Sequence, residues 1–401
     1  MDLSTNSKTY AGLVFCRLID KKDIIFLFLF ALGLFSGSFI VEKSNRLAGG
    51  VPVHLGSVTS GFSIASAILI VLIAVLLSKK KIFIYTNISF FLLGLLLSFF
   101  LWQAGDYAVG VISQNDYARI SLSYGFWFLF GACYFFYIYN VNVFSNAFYR
   151  FLLSVSFFLP LIVVITAGFV DKLSLLMEFY YNKDRFFGEV IGHFKIAYGA
   201  VALAVLTGFP VAVFITRNEK LSEKVFNVLG ILQTIPSIAL FGFLMIPLAF
   251  IVNMFPVLGK FGISGIGWLP AVIALYLYSL LPVVINIFTG LKSVSEDIVE
   301  AAKGMGMGEY QLLFQVKLLL SLPIILNGIR VALVQSVGNT AVAALIGAGG
   351  LGVFIFQGLG QSAFDLILLG AIPTIIIAVF TDSIMQTIIN YTKKKMAYDK
   401  I

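Results

Sequence analysis

Charge is scarce in this 401-residue chain: Asp, Glu, Lys and Arg make up only 11% of it. A water-facing surface carries about 25% charged residues or more, so a soluble globule is excluded. A charge-rich disordered chain is excluded with it. Histidine is nearly missing, with His54 and His193 alone, too few for a histidine-built metal or catalytic site. Cysteine is as sparse. Cys16 lies in an N-terminal tail and Cys133 in an apolar run, with no metal-ligand spacing and no disulfide framework. Proline is thin in the first 200 residues, which hold only Pro52 and Pro160, whereas the rest of the chain holds eight.

What is present is apolar: 60% hydrophobic residues and a mean hydropathy of +1.01. The apolar runs are unbroken and about 20 residues long, as a membrane helix requires. They do not alternate in strands of about ten, as an outer-membrane barrel would. The fold class is therefore all-α, a polytopic helical membrane protein. Ten spans are expected, at 24–41, 62–78, 82–101, 120–139, 151–170, 195–216, 226–252, 269–290, 324–346 and 365–391. The first could be a signal peptide, because Arg17, Lys21 and Lys22 precede it. Its small residues Ser36-Gly37-Ser38 fall inside the apolar run rather than after it, which favours an uncleaved span. With the N-terminus inside, the inner segments hold 18 of the 27 basic residues, as the positive-inside rule asks. Both termini are thus expected in the cytoplasm. The net charge of +8 reads as an orientation signal toward the lipid bilayer, not as a nucleic-acid footprint.

The two halves differ. The first 200 residues hold 41 of the 61 aromatics. The second half has Pro210, Pro236, Pro247, Pro270, Pro282, Pro323 and Pro373 in or at the ends of spans. Broken helices are tolerated where they line a cavity, so the pathway is expected there. Residues 1–193 read as an accessory membrane region, 194–392 as the transport core and 393–401 as a basic cytoplasmic tail. The polar stretch 171–193 is either an interfacial amphipathic helix or a plain loop.

The longest inner segment between spans is 291–322. Ser293-Val294-Ser295-Glu296 has capping-box spacing. Glu296, Glu300 and Lys303 then share one helical stripe, and Ile298, Ala302 and Met305 another. Gly304 and Gly306 allow a sharp corner, and a second amphipathic stretch, from Tyr310 to Lys317, returns through Leu322-Pro323. Such a helix–turn–helix suits docking in a groove of another protein. A solvated surface loop is the bland alternative.

Glu300-Ala301-Ala302, followed after three residues by Gly306, resembles the EAA loop of ABC importer permeases. Gln233-Thr234-Ile235-Pro236-Ser237, Leu277 through Pro282, Glu300 through Met307 and Ala343 through Gly352 resemble the osmoprotectant branch (glycine betaine, carnitine, choline). The first half, including Ser44-Asn45-Arg46-Leu47, resembles the longer Yeh-type permease. In that family a Leu-Pro pair usually follows the second loop helix, whereas here the position reads Leu318-Leu319. The resemblance implies a C-terminal type I importer permease core and a coupling loop of Glu296, Glu300, Ala301, Ala302, Lys303, Gly304 and Gly306. It also implies a separate cytoplasmic ATPase subunit that holds ATP and Mg, an external or periplasmic solute-binding protein, and a second permease copy as a homodimer in the bacterial plasma membrane. This chain would bind no cofactor, and it contains no G-x-x-x-x-G-K-[ST] phosphate loop.

Other signals are weaker. Gly347 to Gly352 satisfies G-x-G-x-x-G, but a membrane span precedes it instead of a strand, so a tight outer loop is expected. Gln233, Pro236, Ser237, Tyr278, Gln335 and Asn339 are candidate pathway residues, though polar side chains in spans commonly bond between helices. Arg330 reads as snorkelling or paired with the loop, and Asp365 and Asp382 as wet span ends. An ion-coupled secondary transporter is the alternative. It would need a buried carboxylate pair, and it leaves 293–317 without a purpose. A membrane enzyme lacks a His/Asp/Glu cluster at either boundary.

Overall fold

The computed structural model describes residues 20–46, 48–261 and 263–398. Cys16, Leu47 and the ends of both termini lie outside the described residues. The chain forms two compact units, Met1–Tyr181 and Asn182–Ile401.

The first unit contains α1 (Lys21–Leu34), β1 (Ile40–Lys43), β2 (Val51–Val53), α2 (Gly61–Ser78), α3 (Phe83–Ile112), β3 (Arg119–Leu122), α4 (Tyr124–Val141), α5 (Ala147–Thr166) and α6 (Ser174–Tyr181). The expected first span is cut short. α1 stops after 14 residues, about 21 Å at 1.5 Å per residue, too short for the hydrocarbon core. Ser36 Oγ donates to the Gly33 carbonyl at 3.0 Å, and the chain turns into β1. The β-branched Ile40 and Val41 pair there with β2 and β3 in an antiparallel sheet of order β2-β1-β3. An all-α reading misses this sheet.

Rings fill the core of this unit. Phe26, Phe39, Phe90, Phe100 and Phe157 are fully buried. Phe26 meets Phe136 at 4.6 Å, and Tyr137 stacks on Phe157 at 5.1 Å. Glycine admits backbone where two helices touch: a Cβ on Gly94 would lie 2.4 Å from the Phe157 carbonyl. Lys79, just past α2, bridges Asp20 at 3.2 Å and also Asp23. Burial disfavours its charge, but bonds to the two carboxylates raise its pKa above the ordinary lysine value.

The second unit contains α7 (Lys183–Ile215), α8 (Glu219–Thr234), α9 (Ser237–Met254), α10 (Trp268–Lys292), α11 (Glu296–Gly304), α12 (Leu318–Ala343), α13 (Gly352–Gly360) and α14 (Phe364–Tyr398). Residues 183–193, read above as part of the outer polar stretch, are the first three turns of α7. The expected span 226–252 is two helices, an amphipathic α8 and an apolar α9, parted at Ile235-Pro236. Most of the other prolines do not break their helices. Pro210, Pro247, Pro282, Pro323 and Pro373 sit inside continuous ones. Among the described residues, eight helices are long and apolar enough to cross a membrane. The expected count of about ten is met only with α1 and α4, and α4 is diluted by four tyrosines and Asn140.

α10 and α12 lie at the centre of this unit, packed on each other and on α7, and α12 packs on α14 as well. A Cβ on Gly328 of α12 would meet the Pro282 carbonyl at 2.6 Å, so these two helices touch nearly backbone to backbone.

Candidate functional site

The loop between α10 and α12 is a helical hairpin. Ser293 is not its cap. It ends α10 and donates from Oγ to the Gly290 carbonyl at 2.8 Å. α11 starts after Ser295, whose backbone is extended. Its far end closes with the Met307 N–H donating to the Ala302 carbonyl at 3.1 Å and the Gly306 N–H to the Lys303 carbonyl at 2.9 Å. That bond pair is a Schellman motif, which needs a left-handed residue at the turn. Gly306 supplies it with φ +83°. Gly304 lies in the last turn of α11 at ordinary φ, so one glycine makes the corner that the sequence suggested for two.

The expected stripes separate. Ala302 is buried, while Ile298 and Met305, its supposed partners, are exposed, Met305 to 72%. Glu296, Glu300, Ala301 and Lys303 are exposed. The return arm runs from one turn at Glu309–Gln311 through a π-helical stretch, Leu312–Lys317, directly into α12. Arg217, after α7, clamps this arm through Glu309 at 2.8 Å. Leu322-Pro323 falls inside this continuous helix. The hairpin therefore presents Glu300, Met305 and Tyr310 outward from a fixed base.

Of the pathway candidates, Gln233, Pro236 and Tyr278 come together. Pro282 has no N–H, so the Tyr278 carbonyl one turn earlier lacks its helical donor. Gln233 Nε2 donates to that carbonyl at 2.8 Å. The Tyr278 hydroxyl in turn donates to the Ile235 carbonyl at the break before Pro236. Both side chains are thereby committed to backbone. Ser237 opens α9, half-buried. Gln335 and Asn339 are four residues apart on α12, half-buried on either side of the exposed Gly338.

Two features escaped the sequence reading. Arg330 forks onto Asp382 through Nε at 2.6 Å and Nη2 at 2.8 Å, and also reaches Gln386. Asp382 is the midpoint of α14, not its end, and the pair ties α12 to α14. The second feature is a clamp from α7. Arg185, Glu189 and His193 are spaced by four and therefore share one face. Glu189 accepts from the Gly350 N–H at 2.6 Å, and His193 Nδ1 from the Leu351 N–H at 3.3 Å. His193 Nε2 donates to the Val337 carbonyl at 3.0 Å. Gly347, Gly349 and Gly350 are left-handed. This glycine loop follows a helix, and a carboxylate already occupies the N–H that a phosphate would use, so no dinucleotide fold exists here. The spacing of 185, 189 and 193 was visible in the sequence; their partners, some 160 residues away, were not. Among the described residues no group of His, Cys, Asp and Glu could hold a metal ion.

Comparison with known families places two matches on the chain. Residues 208–396 match the binding-protein-dependent transport system inner membrane component, and 20–176 match the N-terminal domain of the ABC transporter permease YehY. The carnitine transport permease protein OpuCB of Listeria monocytogenes is 40% identical over 47% of this chain and 80% of its own length. The osmoprotectant import permease protein OsmW of Salmonella typhimurium is 43% identical over 47% of this chain and 82% of its own. Among solved structures, a chain of the MetNI methionine ABC transporter in inward-facing conformations aligns with a TM-score of 0.44 at 22% identity, over 51% of this chain and 94% of that one.

Proposed function

Because this chain belongs to the binding-protein-dependent ABC importer permeases of the osmoprotectant type, we propose that it imports a small compatible solute such as glycine betaine, carnitine or choline. The reading rests on one observation above all, the α10–α12 hairpin. Its base is pinned by Ala302 and by Arg217–Glu309, and its rim of Glu300, Ala301, Met305 and Tyr310 is bare. A separate cytoplasmic ATPase with its own ATP and Mg docks on that rim. A solute-binding protein delivers cargo on the opposite side, and a second copy of this chain completes the pathway. Gln335 and Asn339 on α12, with Ser237, face that pathway. Gln233, Pro236 and Tyr278 hold its wall in place. The positive-inside distribution favours a bacterial plasma membrane location with both termini cytoplasmic.

Solute relatives named for carnitine, glycine betaine and choline support the cargo class. Uptake of labelled glycine betaine, carnitine and choline by the reconstituted complex, with and without its binding protein, tests it. Uptake that persists on an ion gradient after the ATPase is removed would reject the ATP-driven reading in favour of a secondary transporter.

A further inference from the structure

A cavity of 690 Å³ opens between the two arms of the hairpin and the adjoining ends of α7 and α10. Three helices long and apolar enough to span, Lys183–Ile215, Trp268–Lys292 and Glu309–Ile346, have an end at this cavity. It therefore lies at a membrane surface. Its lining has two characters. Val213, Leu291, Leu312 and Leu313 make one part apolar. Arg217, Lys292, Lys303 and Lys317 face Glu296 and Glu309 in the other, four cations against two carboxylates. Arg217 uses Glu309 at 2.8 Å, and Lys292 reaches Glu219 at 3.3 Å. Lys303 and Lys317 have no ion-pair partner among the described residues.

Glu296 and Glu309 offset only part of the four positive charges, and cations left in surplus repel one another unless a further anion joins them. An anion that also suits an apolar wall, at the level where spans end, is the phosphate of a lipid. Basic pockets between span ends on the cytoplasmic side have the charge for such headgroups, and the volume falls in the range of small-molecule sites, about 300–1,000 Å³. We infer that this cavity seats the headgroup of an anionic phospholipid, with Lys303 and Lys317 on its phosphate. The lipid would then be a structural part of the hairpin's base and would set how firmly α11 is held against the membrane.

The test uses the full-length permease purified from mixed phosphatidylglycerol and phosphatidylcholine, with retained lipid counted by native mass spectrometry. The wild type should keep phosphatidylglycerol in preference to phosphatidylcholine. K303Q/K317Q should weaken that retention about thirty-fold, at roughly fivefold per lysine. K303R/K317R should restore it, and K80Q/K81Q, changed elsewhere, should leave it intact. Equal retention by the wild type and K303Q/K317Q overturns the inference, as does equal retention of the two lipids. Displacement by inorganic phosphate would show a free-anion site instead. Loss of the lipid when the ATPase binds, with the two lysines then shielded by the ATPase, would identify a partner carboxylate as the occupant. The readout is lipid rather than transport, so failure here leaves the importer reading untouched.

Discussion

The two units hold helices together in lipid by different means. Apolar burial drives little association there, because the solvent is itself apolar. The first unit answers chiefly with rings: Phe90, Tyr137, Phe157 and Phe158 interlock at centroid distances of 4.9–6.4 Å, beside polar ties such as Ser89 Oγ to the Ala74 carbonyl at 2.8 Å and Tyr137 to Ser154 at 2.7 Å. The second answers with polar ties that cross between helices. Gln233 bonds to the Tyr278 backbone, Ser336 Oγ to the Ala197 carbonyl at 3.0 Å, Tyr198 to Thr381, and Arg330 to Asp382. A small set of directional bonds can be exchanged one at a time. The difference in emphasis leads us to expect a stiffer first unit and a second one that changes arrangement.

The sharpest way to break that comparison is at the hairpin corner. Gly306→Val puts a β-branched residue at φ +83°, where an L-residue costs about 1–2 kcal/mol and the Schellman bonds are lost. Uptake should fall to background with membrane insertion unchanged; normal uptake would separate the hairpin from transport. Phe157→Ala should cost about 3 kcal/mol of stability, read as a lower thermal midpoint in detergent. Transport per folded molecule should hold, and a loss there would make the first unit part of the moving machinery. Asp382→Asn strips the carboxylate from a half-exposed pair, 28% and 38% by side chain, so stability should drop by only about 1 kcal/mol. Uptake should suffer more than that, whereas Glu178→Gln, which breaks the Arg46 pair of the first unit, should cost stability alone. The reverse pattern would invert the assignment of the two units. Gln233→Leu leaves the Tyr278 carbonyl without its donor, about 1 kcal/mol, measurable as a smaller shift in the same melt. The least effect belongs to Gly304→Ala. With ordinary helical φ and no atom within 4 Å of a new Cβ, it should gain about 0.5–1 kcal/mol and keep uptake whole.

Much of this was legible in the sequence. Apolar runs located the long helices, and the EAA spacing located the hairpin and Gly306. What stayed hidden depended on distant partners. Ser36-Gly37-Ser38 lay inside an apolar run, and only pairing with Val51–Val53 and Arg119–Leu122 turns Ile40–Lys43 into a strand. Five prolines of the second unit looked like breaks and are not. At Pro282 the freed carbonyl finds Gln233, 45 residues upstream of Tyr278. Glu189 and His193 looked like loop polarity until the glycine loop folded onto them. Local spacing announces a helix; whether a defect within it is tolerated is decided by a neighbour that spacing does not reveal.

One feature of the second unit carries a mechanical consequence. The return arm of the hairpin enters the span without a break in the helix. From Glu309 to Ile346 the chain is 38 residues of continuous helical backbone, a rod of roughly 57 Å at 1.5 Å per residue. One tip lies in the hairpin, and the other abuts the glycine loop that Glu189 and His193 grip from α7. A push at one tip is absorbed first where the helix is softest, at the π-helical stretch Leu312–Lys317 and at Pro323. What those two points do not take up tilts, slides or twists the rest of the helix, so part of a force applied at Tyr310 reaches Gly347 at the other end of the span.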